Sequence, residues 1–208
     1  MKKYILFDND GVLVETEPLY YEASKRALKE FFNVNLQFED YMKIMTDGNG
    51  VWVAAPNASY EEVIIARNQR DVYYQEYLKK EDIAISGVHE ILDELKQTYK
   101  MGIVTTSRRV DFEIIHNNRG ITDFMEFVLC VEDYPRAKPF PDPYLKGLEL
   151  FKAKKEETIV VEDSQRGLIS ANKAKIDCVI VHNKFTQTQD FSTAKYKIDS
   201  LKKLIDIL

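Results

Sequence analysis

Five short apolar runs limit what this chain can fold into: YILFD (4–8), MGIVTT (101–106), EFVLC (126–130), TIVVED (158–163) and CVIV (178–181). They are rich in β-branched or aromatic residues, and they do not alternate. A strand with one wet face alternates apolar and polar side chains, so uninterrupted runs mean strands covered on both faces, as in a parallel sheet between helices. Helical patterns fill the gaps. GVHEILDELKQ precedes the second run, VDFEIIHNNRG follows it, DPYLKGLELF precedes the fourth, SQRGLISANKAK follows that, and SLKKLIDIL closes the chain. This alternation predicts an α/β class protein with a doubly wound parallel sheet.

Residues 17–80 break the rhythm. They carry helix patterns without a buried strand, among them SYEEVIIARNQRDVYYQEYLKK, where Ser59 and Glu62 have the spacing of a capping box. The expected organisation is a core made of 1–15 and 86–208, with an α-helical insert over 16–85 and hinges near 14–17 and 85–87. Tyr60, Tyr73, Tyr74 and Tyr77 of the insert are read as helix-on-helix packing. A chain of 208 residues, 45% of them hydrophobic, can support a core of that size.

Charge and cysteine usage narrow the partners. With 34 acidic against 29 basic residues and a net charge of −5, neither nucleic acid nor an anionic membrane is an expected partner. Cys130 and Cys178 sit inside apolar runs, as free buried thiols do in a reducing compartment. The start, MKKYILFDNDG, is apolar for only four residues before Asp8, and no stretch approaches about 18 apolar residues, so a soluble cytoplasmic protein is expected. The pattern leaves the oligomeric state open, a monomer being compatible with it.

In open parallel sheets the ligand site lies beyond the carboxyl ends of the strands. The first run ends in Asp8 and Asp10, the second in Thr105, Thr106 and Ser107, the third leads to Lys138, and the fourth ends in Glu162 and Asp163. Each has a local explanation. Asp-Asn-Asp-Gly can be a turn, the threonines strand ends, Lys138 an exposed lysine in AKPFPDP, and Glu162 or Asp163 a helix cap. Their convergence on one edge is what favours a site, because carboxylates, hydroxyls and a lysine together suit a divalent cation beside a phosphate.

These residues also carry a resemblance. FDNDGVL resembles the first motif of the haloacid dehalogenase (HAD)-like hydrolase superfamily, IVTTS the second, KPFPDPY the third and VVEDSQRG the fourth, in order. The helical insert and GVLVETEPLYYEA are similar to the mobile cap, and the way into it, of the phosphatase and β-phosphoglucomutase branch. The resemblance implies a Rossmann-like core and a helical cap domain, with Asp8 as nucleophile forming an aspartyl phosphate and Asp10 as general acid and base. It implies Mg²⁺ as cofactor, with Asp8, the backbone carbonyl of Asp10, and Asp163 as metal ligands and Glu162 at or just behind them. Lys138 and Thr105 join the catalytic set, and Thr105, Thr106, Lys138 and Asn9 hold the substrate. The electrostatics agree: a carboxylate about 4 Å from a phosphate dianion is repelled by about 8 kcal/mol at an effective dielectric of about 20, so cations are required.

The expected activity is a Mg²⁺-dependent phosphatase acting on a small phosphorylated metabolite: a sugar phosphate, phosphoglycolate or a nucleoside monophosphate. A β-phosphoglucomutase-like mutase is the alternative, and a silent binding module a more remote one. A mutase needs a second anion site, and TDGNG (46–50) lacks the arginine such enzymes commonly place there, although Arg67 and Arg70 offer another source. Dehalogenase chemistry has no use for an acid at Asp10. Asn9 stands where an apolar residue is common, Lys175 where glycine is usual, and Tyr20 where histidine is frequent. Glu132 and Asp133 in VEDY read as loop acids, and His89, His116 and His182 show no metal-ligand spacing. Arg108 and Arg109 are equally suited to substrate or to water, and TDGNG with Trp52 leans towards a substrate-reading loop.

Overall fold

The computed structural model describes all 208 residues, which divide into two compact units: Met1–Glu15 with Ala84–Leu208, and Thr16–Ile83. The first unit holds six strands: β1 (Tyr4–Phe7), β2 (Lys100–Val104), β3 (Phe127–Leu129), β4 (Thr158–Glu162), β5 (Asp177–Val181) and β6 (Tyr196–Ile198). All neighbours pair in parallel, in the order β3-β2-β1-β4-β5-β6. The chain winds outwards one way through β2 and β3, then the other way through β4, β5 and β6. The strand order therefore reverses at β1, and the crevice at that reversal is where such sheets bind ligands.

Burial explains the unbroken apolar runs. Leu6, Val104, Val160, Cys178 and Ile180 pack on one face, with Tyr144 of the helix Asp142–Phe151 and with Leu168, Ala171 and Ala174 of the helix Gln165–Ala174. Their alternates Ile5, Phe7, Ile103, Ile159, Val161 and Val179 are buried as deeply, so both faces are covered. Both cysteines are buried and unbridged. No helix is long and apolar enough to cross a membrane.

Two elements differ from the sequence expectation. Strand β6 lies at the sheet edge with two of its three residues exposed, and its segment has no apolar run to announce it. The closing SLKKLIDIL forms 3-10 turns over Leu201–Ile207 rather than an α-helix. Leu201 and Leu204 are buried there, three residues apart, which matches a three-residue turn.

The second unit consists of α1 (Glu17–Phe32), α2 (Phe38–Thr46) and α3 (Tyr60–Leu78), with a 3-10 turn at Val51–Ala54. Helix α3 opens on the capping box of Ser59 and Glu62. Tyr74 meets Tyr20 edge-on at 5.4 Å, and Arg26 stacks 3.6 Å from the ring centre of Tyr73, whose hydroxyl donates to Glu30. Tyr60 is the exception among the tyrosines: it sits in the first turn of α3 and is 80% exposed, so it is not part of the helix-on-helix packing.

Candidate active site

The loop after β1 is built by its backbone. Asp8 extends the ladder by one residue, its N–H donating to the Val161 carbonyl at 2.8 Å. The carbonyl of Asn9 then accepts from Leu13 at 2.8 Å, and Gly11 N–H donates to Val14 at 2.7 Å, which turns the chain sharply. Gly11 has φ +79°, and a Cβ there would lie 2.1 Å from Oδ2 of Asp163. No side chain fits.

Lys138 arrives from the loop after β3 and is buried. Its Nζ donates to Asp8 Oδ1 at 2.7 Å and to the Val104 carbonyl at 2.8 Å, and lies 2.7 Å from Glu162 Oε1. Glu162, at the end of β4, has no exposed surface. Its Oε1 also accepts from the Tyr144 hydroxyl at 2.6 Å, and its Oε2 faces the N–H groups of Asp163 and Ser164 at 3.2 and 3.3 Å and the Ser164 hydroxyl at 3.1 Å. Five donors saturate the lone pairs of one carboxylate. The helix that follows is capped by Ser164, whose hydroxyl accepts from Gly167 N–H, so neither Glu162 nor Asp163 is its cap.

Asp163 is buried, and carboxylate oxygens of Asp8, Glu162 and Asp163 all lie within 4.8 Å of one another. Burial, followed by the charge of Glu162, pushes Asp8 up to about 7 even though Lys138 pulls it down. Burial works against the Lys138 ammonium, but Asp8 and Glu162 outweigh it and raise its pKa. Burial also penalises the Glu162 carboxylate, and Lys138 with its other donors more than compensates, so that pKa falls. Three buried carboxylates thus cluster around a single lysine that pairs with two of them, Asp8 and Glu162. The surplus negative charge and the all-oxygen donor set fit a hard divalent cation.

Asp10 turns the other way, to the loop after β2. Its Oδ2 accepts from Ser107 Oγ at 2.7 Å and from Thr105 Oγ1 at 3.2 Å, while Ser107 N–H donates to Thr105 Oγ1 at 3.0 Å. Thr105 is fixed at the strand end by the Leu129 carbonyl and by Tyr134, whose hydroxyl donates to the Thr105 carbonyl at 2.6 Å. Thr106 is partly exposed, 3.4 Å from Arg166.

Asn9 does not join this group through its side chain. That side chain is fully buried, with its Oδ1 2.7 Å from Nε2 of His116, which donates there in the tautomer protonated at Nε2. An amide held inside cannot touch substrate, which corrects the sequence expectation for its side chain. Burial pushes His116 down to about 4, the pull of Asp10 notwithstanding, so the ring is neutral. Glu132 accepts from Arg109 N–H, and Asp133 accepts from Cys130 N–H at 2.7 Å and pairs with the Arg109 guanidinium. Arg108 pairs with Asp111 at 2.7 Å. His89 and His182 lie edge-on to Phe124 and Phe191.

Three contributors were given no role in the site by the sequence: Tyr144 on Glu162, His116 on Asn9, and Asn183, whose amide donates to Asp163 Oδ2 at 2.7 Å; Ser107 on Asp10 stood in the second run that was expected to reach the site. Within the helical unit, Arg67 is exposed. Arg70 is buried, 4.3 Å from the Tyr20 ring and 5.8 Å from that of Trp52, with Nε donating to Asp71 at 2.7 Å.

A doubly wound parallel sheet carrying buried carboxylates and a buried lysine at its switch point is the construction of an α/β enzyme. The chain belongs to the haloacid dehalogenase-like hydrolases, whose family model matches residues 5–181. It is 29% identical over 208 residues to Pyrophosphatase PpaX of Bacillus mycoides, covering 98% of this chain and 95% of that one. Among solved structures it is similar to a predicted phosphoglycolate phosphatase from Haemophilus somnus (TM-score 0.87, 24% identity, 99% and 97% of the two chains). It is also similar to β-phosphoglucomutase from Clostridium difficile (TM-score 0.80, 20% identity, 98% and 93%).

Proposed function

We propose that the protein is a Mg²⁺-dependent phosphatase that hydrolyses a small phosphorylated metabolite through an aspartyl phosphate on Asp8. One observation carries the reading: a buried Lys138 lies 2.7 Å from both Asp8 and Glu162, with Asp163 in the same carboxylate cluster. Lys138 holds one oxygen of Asp8 and so orients the carboxylate towards phosphorus. Attack forms the Asp8 O–P bond and breaks the bond to the leaving oxygen, to which Asp10 gives its proton. Asp10 then takes a proton from the water that cleaves the acyl phosphate, releasing inorganic phosphate and restoring Asp8. Ser107 and Thr105 orient Asp10 through one of its oxygens. Mg²⁺, when bound, supplies charge neutralisation between carboxylate and phosphate. Asp8, Asp163 and the Asp10 carbonyl are its ligands in this reading, while Glu162, saturated with donors, serves Lys138.

The substrate classes are sugar phosphates, phosphoglycolate, nucleoside monophosphates and, favoured by the pyrophosphatases among its relatives, pyrophosphate. The mutase is less well supported, because Arg67 is exposed and Arg70 gives its Nε to Asp71, which leaves only the buried Nη1 of Arg70 without a partner. The test is phosphate release from an aryl phosphate and from a panel of these compounds, with and without Mg²⁺. Asp8→Asn should lower release by roughly a thousandfold or more. Equal release by that variant, or release indifferent to Mg²⁺, overturns the proposal.

A further inference from the structure

The loop after β5 was silent in the sequence, yet it reaches the carboxylate cluster. Asn183 is locked by its own loop: Oδ1 accepts from the N–H of Phe185 at 2.8 Å, the N–H of Thr186 at 3.1 Å and the Thr186 hydroxyl at 3.2 Å. Backbone N–H groups only donate, so the atom facing them is the amide oxygen, and the nitrogen necessarily points the other way. That nitrogen donates to Asp163 Oδ2 at 2.7 Å. On its other side Asp163 is confined by the backbone of Gly11, where even a methyl group would come 2.1 Å from Oδ2 and 2.9 Å from the Asn183 nitrogen. The loops after β1, β4 and β5 therefore meet at one carboxylate oxygen.

We propose that Asn183 is a positioning residue that fixes the Asp163 carboxylate for cation binding, with Thr186 holding Asn183 in turn; this rests on the Mg²⁺-dependent reading above. Pinning Oδ2 sets the plane in which the second oxygen is presented. Without the amide, the ion itself must order the side chain, and its affinity falls by the entropy of doing so. A residue that serves only the fold would not change the response to Mg²⁺.

The experiment is a calorimetric titration of Mg²⁺ into the wild-type protein, Asn183→Ala and Thr186→Val without substrate, alongside the Mg²⁺ dependence of phosphate release. Asn183→Ala should raise the Mg²⁺ dissociation constant roughly 10- to 100-fold, with the lost activity recovered by added Mg²⁺. Thr186→Val should shift it a few-fold in the same direction. An unchanged dissociation constant in Asn183→Ala beside normal wild-type binding overturns the inference alone. Absence of Mg²⁺ binding by the wild type overturns the phosphatase reading with it. Should Asn183→Ala fail to fold, Thr186→Val decides, and an unshifted constant there is the negative result.

Discussion

Asp8, Lys138 and Glu162 form a triangle in which each charge depends on the others. Removing one partner of a buried ion pair typically costs 3–5 kcal/mol, because the remaining charge is left without a counter-ion. Lys138→Met leaves two buried carboxylates facing each other, so it should lose activity and about 3 kcal/mol or more of stability together. A urea melt unchanged from wild type would contradict this. His116 makes a separate case. Its folded pKa of about 4 lies below the ordinary 6.5, so the unfolded chain binds more protons between those values. Its contribution is fully present above about pH 6.5 and is lost as pH falls towards 4, on the order of 3 kcal/mol in all. His116→Gln, which keeps an N–H donor for Asn9, should flatten the pH dependence of stability across that window; an unaltered slope would rule the assignment out. Asp8, Lys138 and Asp163 were legible because each stands in a contiguous motif. His116 and Asn183 were not, since the first meets its partner across 107 positions of chain and the second across 20.

Strands and helices were legible to the extent that one side chain pattern decided them. An apolar run buried on both faces names a central strand, and β1, β2, β4 and β5 all have one. Edge strand β6 carries too little apolar surface to show, and the final 3-10 segment shares its leucine spacing with an α-helix until the turn itself is seen. Helix ends depend on single residues. Lys175 closes the helix Gln165–Ala174 in the left-handed region, φ 61°, where the family's usual glycine meets no steric cost. Lys175→Gly should therefore stabilise the protein by about 1 kcal/mol, offset in part by the looser unfolded chain. Thermal melting checks the sign, and a lowered midpoint would show that the lysine side chain contributes more than its backbone costs.

At the scale of the whole molecule, the chain leaves the sheet unit after Glu15 and returns at Ala84, and Val14 forms an antiparallel bridge with Ala84. Departure and return are therefore neighbours, as an inserted unit requires, and the sheet residues that flank the gap need no long connection to remain joined. Every residue of the carboxylate cluster, together with Lys138, Thr105, Ser107 and Asn183, belongs to the sheet unit. Substrate choice is expected to lie in the helical unit, whose sequence shows no motif because shape and loop chemistry select a leaving group in many ways. Replacing 16–83 by a short glycine-serine linker separates the two properties. The expected product folds cooperatively, binds Mg²⁺ and cleaves an aryl phosphate, while the differences in kcat/KM among natural substrates shrink towards unity. Retained discrimination would place the specificity in the sheet unit instead. Loss of Mg²⁺ binding from a folded product would show that the carboxylate cluster depends on the helices for its geometry.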